Sequence, residues 1–283
     1  MAVFYNYATL SYNQGVTNSN VVTGELVEVI TVTKNAVANG YRSGDTLTYV
    51  VNIINSGNAA YNNLTLTDDL GAYPVGVATY VPLNYLDGSV QYYINGVLQG
   101  APVVTAGPPL SVSGINVPAN SNVAIIYRAT VNELAPLTSG SEITNTASVS
   151  GAGLTTVTAS ETLPVLDEAY LSITKAINPT TVVENEPLTY TFVITNTGNT
   201  PAVATDNVVL TDNFDPVLDI TSVTFNGVAW SEPTNYTYDS TTGVFSTVAG
   251  QITVPAASYS TDPNTGVVTV VPGTAVLTVT GTI

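Results

Sequence analysis

The only two lysines in this 283-residue chain occupy matching places in a repeat. Lys34 closes Ile30-Thr31-Val32-Thr33-Lys34, and Lys175 closes Leu171-Ser172-Ile173-Thr174-Lys175. There is no histidine and no cysteine, which excludes Ser-His-Asp, Cys-His and His-metal sites. The amines are the nucleophiles of interest, because burial in an apolar core disfavours the ammonium and lowers its pKa. The alternative is that both lysines are solvated strand-end residues and that Leu66-Thr67-Asp68 is an ordinary strand-to-turn exit. Asp68 and Asp69 do not make a glycosidase pair, since adjacent strand residues point to opposite faces.

The repeat organises the elements that position these lysines. Leu47-Thr48-Tyr49 through Asn55-Ser56-Gly57-Asn58 returns 141 residues later as Leu188-Thr189-Tyr190 through Asn196-Thr197-Gly198-Asn199, the same offset as the lysines. Leu64 to Asp68 matches Val208 to Asp212, and Ile94-Asn95-Gly96-Val97 matches Phe225-Asn226-Gly227-Val228. Val117-Pro118, leading into Val123–Thr130, is expected to match Val271-Pro272, leading into Val276–Ile283. Runs of Val, Ile, Tyr and Thr alternate with period two between Gly, Pro and Asn turn signals, so the chain reads as all-β. Short strands with Asn-Gly turns favour two tandem immunoglobulin-like β-sandwiches over a barrel or an α/β fold. The expected division is a donor segment at 1–26, a first domain at 27–166 and a second at 167–283.

Four basic residues face twenty acidic ones, a net charge of −16, which argues against nucleic-acid binding. No EF-hand or Asp-rich nonapeptide loop is present, so the acids read as a solvated surface and no metal or cofactor is expected. The 17 tyrosines alternate with Thr and Val, as cross-strand packing residues do. No run reaches the length of a membrane span, and the N-terminus lacks the charged and apolar regions of a secretory signal. Asn63 and Asn235 sit in glycosylation sequons, a weak signal in a Thr-rich chain.

Thr-Lys in the first strand, Leu-Thr-Tyr followed by Asn-x-Gly-Asn, Leu-Thr-Asp and finally Ile143-Thr144-Asn145-Thr146-Ala147-Ser148-Val149 resemble the surface-repeat domain of unknown function eleven of bacterial and archaeal cell-surface proteins. The resemblance covers both copies. It implies sandwiches strung as stalks, adhesins or surface fibres, and no turnover enzyme; a chain without a secretory signal could also reach the spore surface when the mother cell lyses. It further implies a self-formed amide between a first-strand lysine and a last-strand asparagine, promoted by an acid. In copy one that trio is Lys34, Asn145 and Asp68, with Asp69 and Glu142 as competing acids. A protonated Asp is expected to polarise the amide carbonyl. Copy two offers Lys175 and Asp212, with Glu184 and Glu186 as competitors, and no Asn of its own.

Copy two ends before the strands that copy one continues into, Ile143–Ser150 and Thr155–Leu163. Phe4-Tyr5-Asn6-Tyr7-Ala8-Thr9-Leu10-Ser11 follows the pattern of Ile143–Ser150, with Asn6 at the place of Asn145, and Val21–Leu26 loosely echoes Val157–Glu161. A sandwich without its last strand leaves unpaired backbone and an open core. Donation of Phe4–Leu10 to the next molecule would fill that slot and propagate a head-to-tail homopolymer. Either the Phe4, Ala8 and Leu10 face or the Tyr5 and Tyr7 face would set the register. The 14 residues from Asn13 to Leu26, fully extended, reach at most roughly 45 Å, which leaves no slack for folding back. The competing reading is a monomeric adhesin whose loops bind a carbohydrate or a host protein.

Overall fold

The computed structural model describes residues 2–26 and 28–283. Strands make almost all of its regular structure, and the one helix among the described residues is the single 3-10 turn Ala204–Asp206. By their contacts the residues form two compact units, 1–38, 46–130 and 144–162 in one, and 39–45, 131–143 and 163–283 in the other.

The N-terminal segment is a long hairpin. β1 (Ala2–Asn6) pairs with β4 (Val22–Leu26), and β2 (Thr9–Tyr12) pairs with β3 (Gly15–Asn18) across the turn at Asn13-Gln14. Ser19 bridges the two ladders, its N–H donating to the Ala8 carbonyl at 2.8 Å and its Oγ accepting from the Ala8 N–H at 2.9 Å. Residues 13–26, expected as an extended linker, are therefore mostly the return strand.

The first sandwich comprises β5 (Ile30–Ala36), β6 (Thr46–Asn55), β7 (Tyr61–Asp68), the small pair β8 (Tyr73–Val75) and β9 (Ala78–Tyr80), β10 (Leu83–Tyr85), β11 (Gln91–Ile94), β12 (Val97–Leu98), β13 (Val103–Thr105), β14 (Leu110–Val117), β15 (Ser121–Val131), β16 (Glu142–Gly151) and β17 (Leu154–Pro164). One sheet runs β12-β11-β15-β6-β5 with β10 also on β15, and the facing sheet runs β13-β14-β7-β16-β17. Alternation decides the core: Leu47, Tyr49, Val51 and Ile53 of β6 point inward against Leu64, Leu66, Val112 and Val149 of the other sheet. Asn95 and Gly96 both take positive φ, as a two-residue turn matching the strand twist requires, and they join β11 to β12.

The second sandwich comprises β18 (Leu171–Asn178), β19 (Pro187–Asn196), β20 (Thr211–Asn213), β21 (Asp219–Phe225), β22 (Val228–Ala229), β23 (Tyr236–Tyr238), β24 (Val244–Thr247), β25 (Ser258–Thr261), β26 (Val268–Val271) and β27 (Gly273–Thr282). The sheet β18-β19-β27-β21-β22 repeats the first sheet of copy one, but the facing sheet has only β20-β24-β23. These correspond to β7, β14 and β13, and no strand in this unit answers β16 and β17. Phe192, Leu210, Phe214, Phe245 and Leu277 build the core.

Two buried asparagines fix the equivalence of the copies. Asn55 Nδ2 donates to the Ala59 and Pro118 carbonyls, and Asn196 Nδ2 donates to those of Thr200 and Pro255. Pro118 thus corresponds to Pro255, so Val117-Pro118 does not align with Val271-Pro272. Residues 256–272, which include the β25–β26 hairpin, are an insertion peculiar to copy two.

Candidate functional site

Lys34 lies on β5 at the edge of one sheet, Asp68 ends β7 in the other, and Asn145 lies on β16 beside β7. All three side chains are buried. Lys34 Nζ donates to Asp68 Oδ2 at 2.6 Å, and the Tyr127 hydroxyl donates to the same oxygen at 2.5 Å. The Leu70 N–H donates to Asp68 Oδ1 at 3.0 Å. Asn145 Nδ2 donates to the Tyr127 oxygen at 3.2 Å, while the Gly71 N–H donates to Asn145 Oδ1 at 3.2 Å. Lysine, acid, phenol and amide therefore form one continuous chain of hydrogen bonds, closed to water.

The electrostatics follow from that closure. Burial lowers the Lys34 pKa from its ordinary 10.5, and the adjacent Asp68 charge opposes the shift. Burial, then the Asp68 carboxylate, pushes the Tyr127 phenol well above its usual range. The Tyr49 ring stacks on Tyr127 at 5.5 Å and lies 5.0 Å from Lys34 Nζ, screening it from solvent. Its own hydroxyl is buried without a hydrogen bond of ordinary geometry, and burial raises it as well, with the Asn145 amide opposing.

Of the acids weighed from sequence, only Asp68 touches Lys34. Asp69 Oδ1 accepts the N–H groups of Gly71 and Thr146, and Glu142 is exposed. The donor on the Asn145 carbonyl is the Gly71 N–H, whereas a protonated Asp was expected there. Sequence reasoning missed both Tyr127 and Gly71. Tyr127 is one of many alternating tyrosines, and a backbone N–H leaves no mark in a sequence.

In copy two, Lys175 Nζ on β18 donates to Asp212 Oδ2 on β20, as the repeat predicts. Glu184 and Glu186 are exposed and do not contact it. Nζ sits 4.5 Å from the Tyr190 ring centroid, 5.4 Å from Phe192 and 5.3 Å from Phe214, a cationic head held among three rings. Two differences separate the sites. The Lys175 side chain is 40% exposed where that of Lys34 is 0%. Cross-strand register puts Val279 opposite Tyr190 and Tyr127 opposite Tyr49, so an aliphatic residue replaces the phenol. An open, mostly apolar groove lined by Leu171, Ile173 and Ile194 and by Val209, Leu210 and Ile252 begins two residues before Lys175 on β18. It lies where β16 lies in copy one. Asn6 and the rest of Phe4–Leu10 are exposed on the hairpin.

No family model matches the chain, and no curated protein matches it. Among solved structures it is similar to BcpA, the major pilin subunit of Bacillus cereus, at 13% identity and a TM-score of 0.36, covering 95% of this chain and 73% of that one. It is also similar to the major pilin SpaD of Corynebacterium diphtheriae, at 12% identity and a TM-score of 0.37, covering 86% of this chain and 59% of SpaD. The collagen-binding subdomain of the Enterococcus faecalis surface protein ACE overlaps 50% of this chain and 99% of its own, at 8% identity and a TM-score of 0.30. Overlaps this loose carry no inference about chemistry, partners or assembly. The all-β sandwich architecture rests on the strands themselves. No helix among the described residues is long and apolar enough to cross a membrane.

Proposed function

We propose that the protein is the structural subunit of an extracellular fibre, assembled head to tail by donation of its N-terminal segment to the second sandwich of the next copy. The observation that carries this reading is the three-stranded sheet of copy two, set against five strands in copy one. An unfilled sheet edge beside an exposed apolar groove invites pairing, and the segment resembling the missing strand lies exposed in the same chain. The resemblance to surface-repeat domains fits a location at the cell or spore surface.

The buried network in copy one supports a self-formed amide between Lys34 and Asn145. Proton transfer from Lys34 to Asp68 leaves a neutral amine. Its lone pair attacks Asn145 Cγ while the Gly71 N–H holds the carbonyl oxygen as charge develops on it. Collapse breaks the Cγ–Nδ2 bond. The leaving nitrogen takes a proton from Tyr127, which regains one from Asp68, and ammonia departs. The attacking nitrogen passes its second proton to the Asp68 carboxylate, so of the two protons freed by Lys34 one leaves with ammonia and one stays on Asp68, and holding the groups side by side replaces an external catalyst. Lys175 and Asp212, with Asn6 of the neighbouring copy, would form the same link between molecules without the phenol relay.

Boiling denaturing electrophoresis, with mass spectrometry of each band, tests the proposal. The expected result is a ladder of multimers, with one ammonia lost per subunit within copy one and one more per Lys175–Asn6 link. A single band at the unmodified mass removes the amides, and an absence of filaments by microscopy removes the fibre.

A further inference from the structure

Accepting strand donation as the assembly mode, we infer that the donated element is the whole hairpin β1–β4, entering at a register that places Asn6 where Asn145 stands and Ala8 opposite Asp212. The occupant of the groove is thus a second copy of this chain, contributing two strands.

The hairpin reproduces β16–β17 at a single offset of 139 residues. Its turn, Asn13-Gln14, corresponds to Ala152-Gly153, and in both hairpins the strands resume at the next residue, Gly15 and Leu154. Cross-strand pairing agrees as well. The Thr144 and Thr162 hydroxyls meet at 2.8 Å, 18 residues apart in sequence, and Tyr5 sits opposite Thr23, also 18 residues apart (23 − 5). This places Thr23 at Thr162, replacing the looser match of Val21–Leu26 to Val157–Glu161.

The register follows from copy one. There Ala147 pairs with Asp68, Ser148 with Thr67 and Val149 with Leu66. Asp68 and Asp212 are equivalent because each holds the repeat lysine. Transferred, Ala8 pairs with Asp212, Thr9 with Thr211 and Leu10 with Leu210. Ile143, Asn145, Ala147 and Val149 are the buried face of β16, so Phe4, Asn6, Ala8 and Leu10 face the core while Tyr5 and Tyr7 face out. Phe4 and Leu10 are now 58% and 65% exposed, which is apolar surface awaiting a partner.

Two strands are required for the sheet to match. β20 has an unpaired edge, and β1–β2 already has its other edge occupied by β3–β4. Docking the hairpin intact turns β20-β24-β23 into a five-stranded sheet whose new edge corresponds to β17. A preformed hairpin also arrives with its backbone already ordered, so less entropy is lost on binding. Only residues 27–29 separate it from β5. Docking would bury Lys175 as β16 buries Lys34, so crosslinking at this site waits for assembly.

The test uses the full chain, which has no natural cysteine. Tyr5→Cys/Thr23→Cys locks the hairpin shut when oxidised. Equal filament growth from oxidised and reduced protein is expected, and growth only after reduction would overturn the inference. Independently, peptides 2–26 and 2–12 are added to assembling wild-type protein. The hairpin peptide, closed by the Tyr5→Cys/Thr23→Cys disulfide, should cap filaments at a concentration roughly tenfold lower, since it is preorganised. Equal potency would overturn hairpin donation in favour of a single strand, and failure of both peptides while filaments grow would count against donation itself. Thr9→Cys/Thr211→Cys should give intermolecular disulfides. Ser11→Cys/Thr211→Cys, two residues out of register, should not, and the reverse outcome refutes the register.

Discussion

Replacing Asn145 by alanine separates a crosslinked first sandwich from one held by packing alone. Two losses would combine if the amide forms. The link closes a loop of 111 residues (145 − 34), and a covalent closure of that length is worth about 5 kcal/mol by the loop-entropy account. The alanine also takes from the Gly71 N–H its second acceptor, leaving it Asp69 Oδ1, and takes a donor from Tyr127, at a local cost of about 2 kcal/mol for two buried hydrogen bonds. The expected destabilisation is therefore about 7 kcal/mol with the link and about 2 kcal/mol without it. Guanidinium unfolding followed by tyrosine near-ultraviolet circular dichroism reads the difference, with intact mass measured on both proteins. A loss near 2 kcal/mol, from a wild type at its unmodified mass, would refute the buried network as a reactive site.

Tyr127→Phe keeps the ring stack on Tyr49 but removes the hydroxyl between Asp68 and Asn145. Time-resolved mass spectrometry should show ammonia loss in copy one at least roughly tenfold slower, in line with loss of a positioned proton donor. An unchanged rate would exclude the relay, and by the same logic the Lys175 link, with Val279 in the equivalent place, should form more slowly than the Lys34 link. In the uncrosslinked Asn145→Ala protein, Lys34 has a folded pKa below its unfolded 10.5. Between those two values the unfolded chain holds a proton that the folded one has released, so stability should rise with pH until about 10, where the unfolded Tyr49 and Tyr127 phenols ionise and reverse the slope. A denaturation midpoint falling with pH below that reversal would contradict the assigned burial effect. Asn196→Ala orphans the Gly198 and Tyr170 N–H groups and the Thr200 and Pro255 carbonyls, and it should cost copy two roughly 3 kcal/mol. Fluorescence of the single tryptophan, Trp230, stacked on Phe225 in the same unit, reports that loss.

The sequence by itself determined the strands and the two copies, and it placed Asp68 and Asp212 among several acids that could meet the lysines. Period-two alternation is a local property that a pleated sheet converts directly into an inward and an outward face, so Leu47–Ile53 could be placed before any packing was known. The internal repeat then carried Lys34 and Asp68 onto Lys175 and Asp212 without need of a third dimension. Motif matching failed where a loop had grown: Val271-Pro272 looks like Val117-Pro118, but the buried Asn196 side chain reaches Pro255 instead. Tertiary structure alone decided which hydroxyl and which backbone N–H join the network, because Tyr127 meets Asn145 only when the two sheets face each other, and Gly71 meets it only when β16 pairs beside β7. It also decided that residues 15–26 return along β1 and β2 as a hairpin. Their composition is equally suited to a linker, and only backbone pairing against β1 and β2 distinguishes the two.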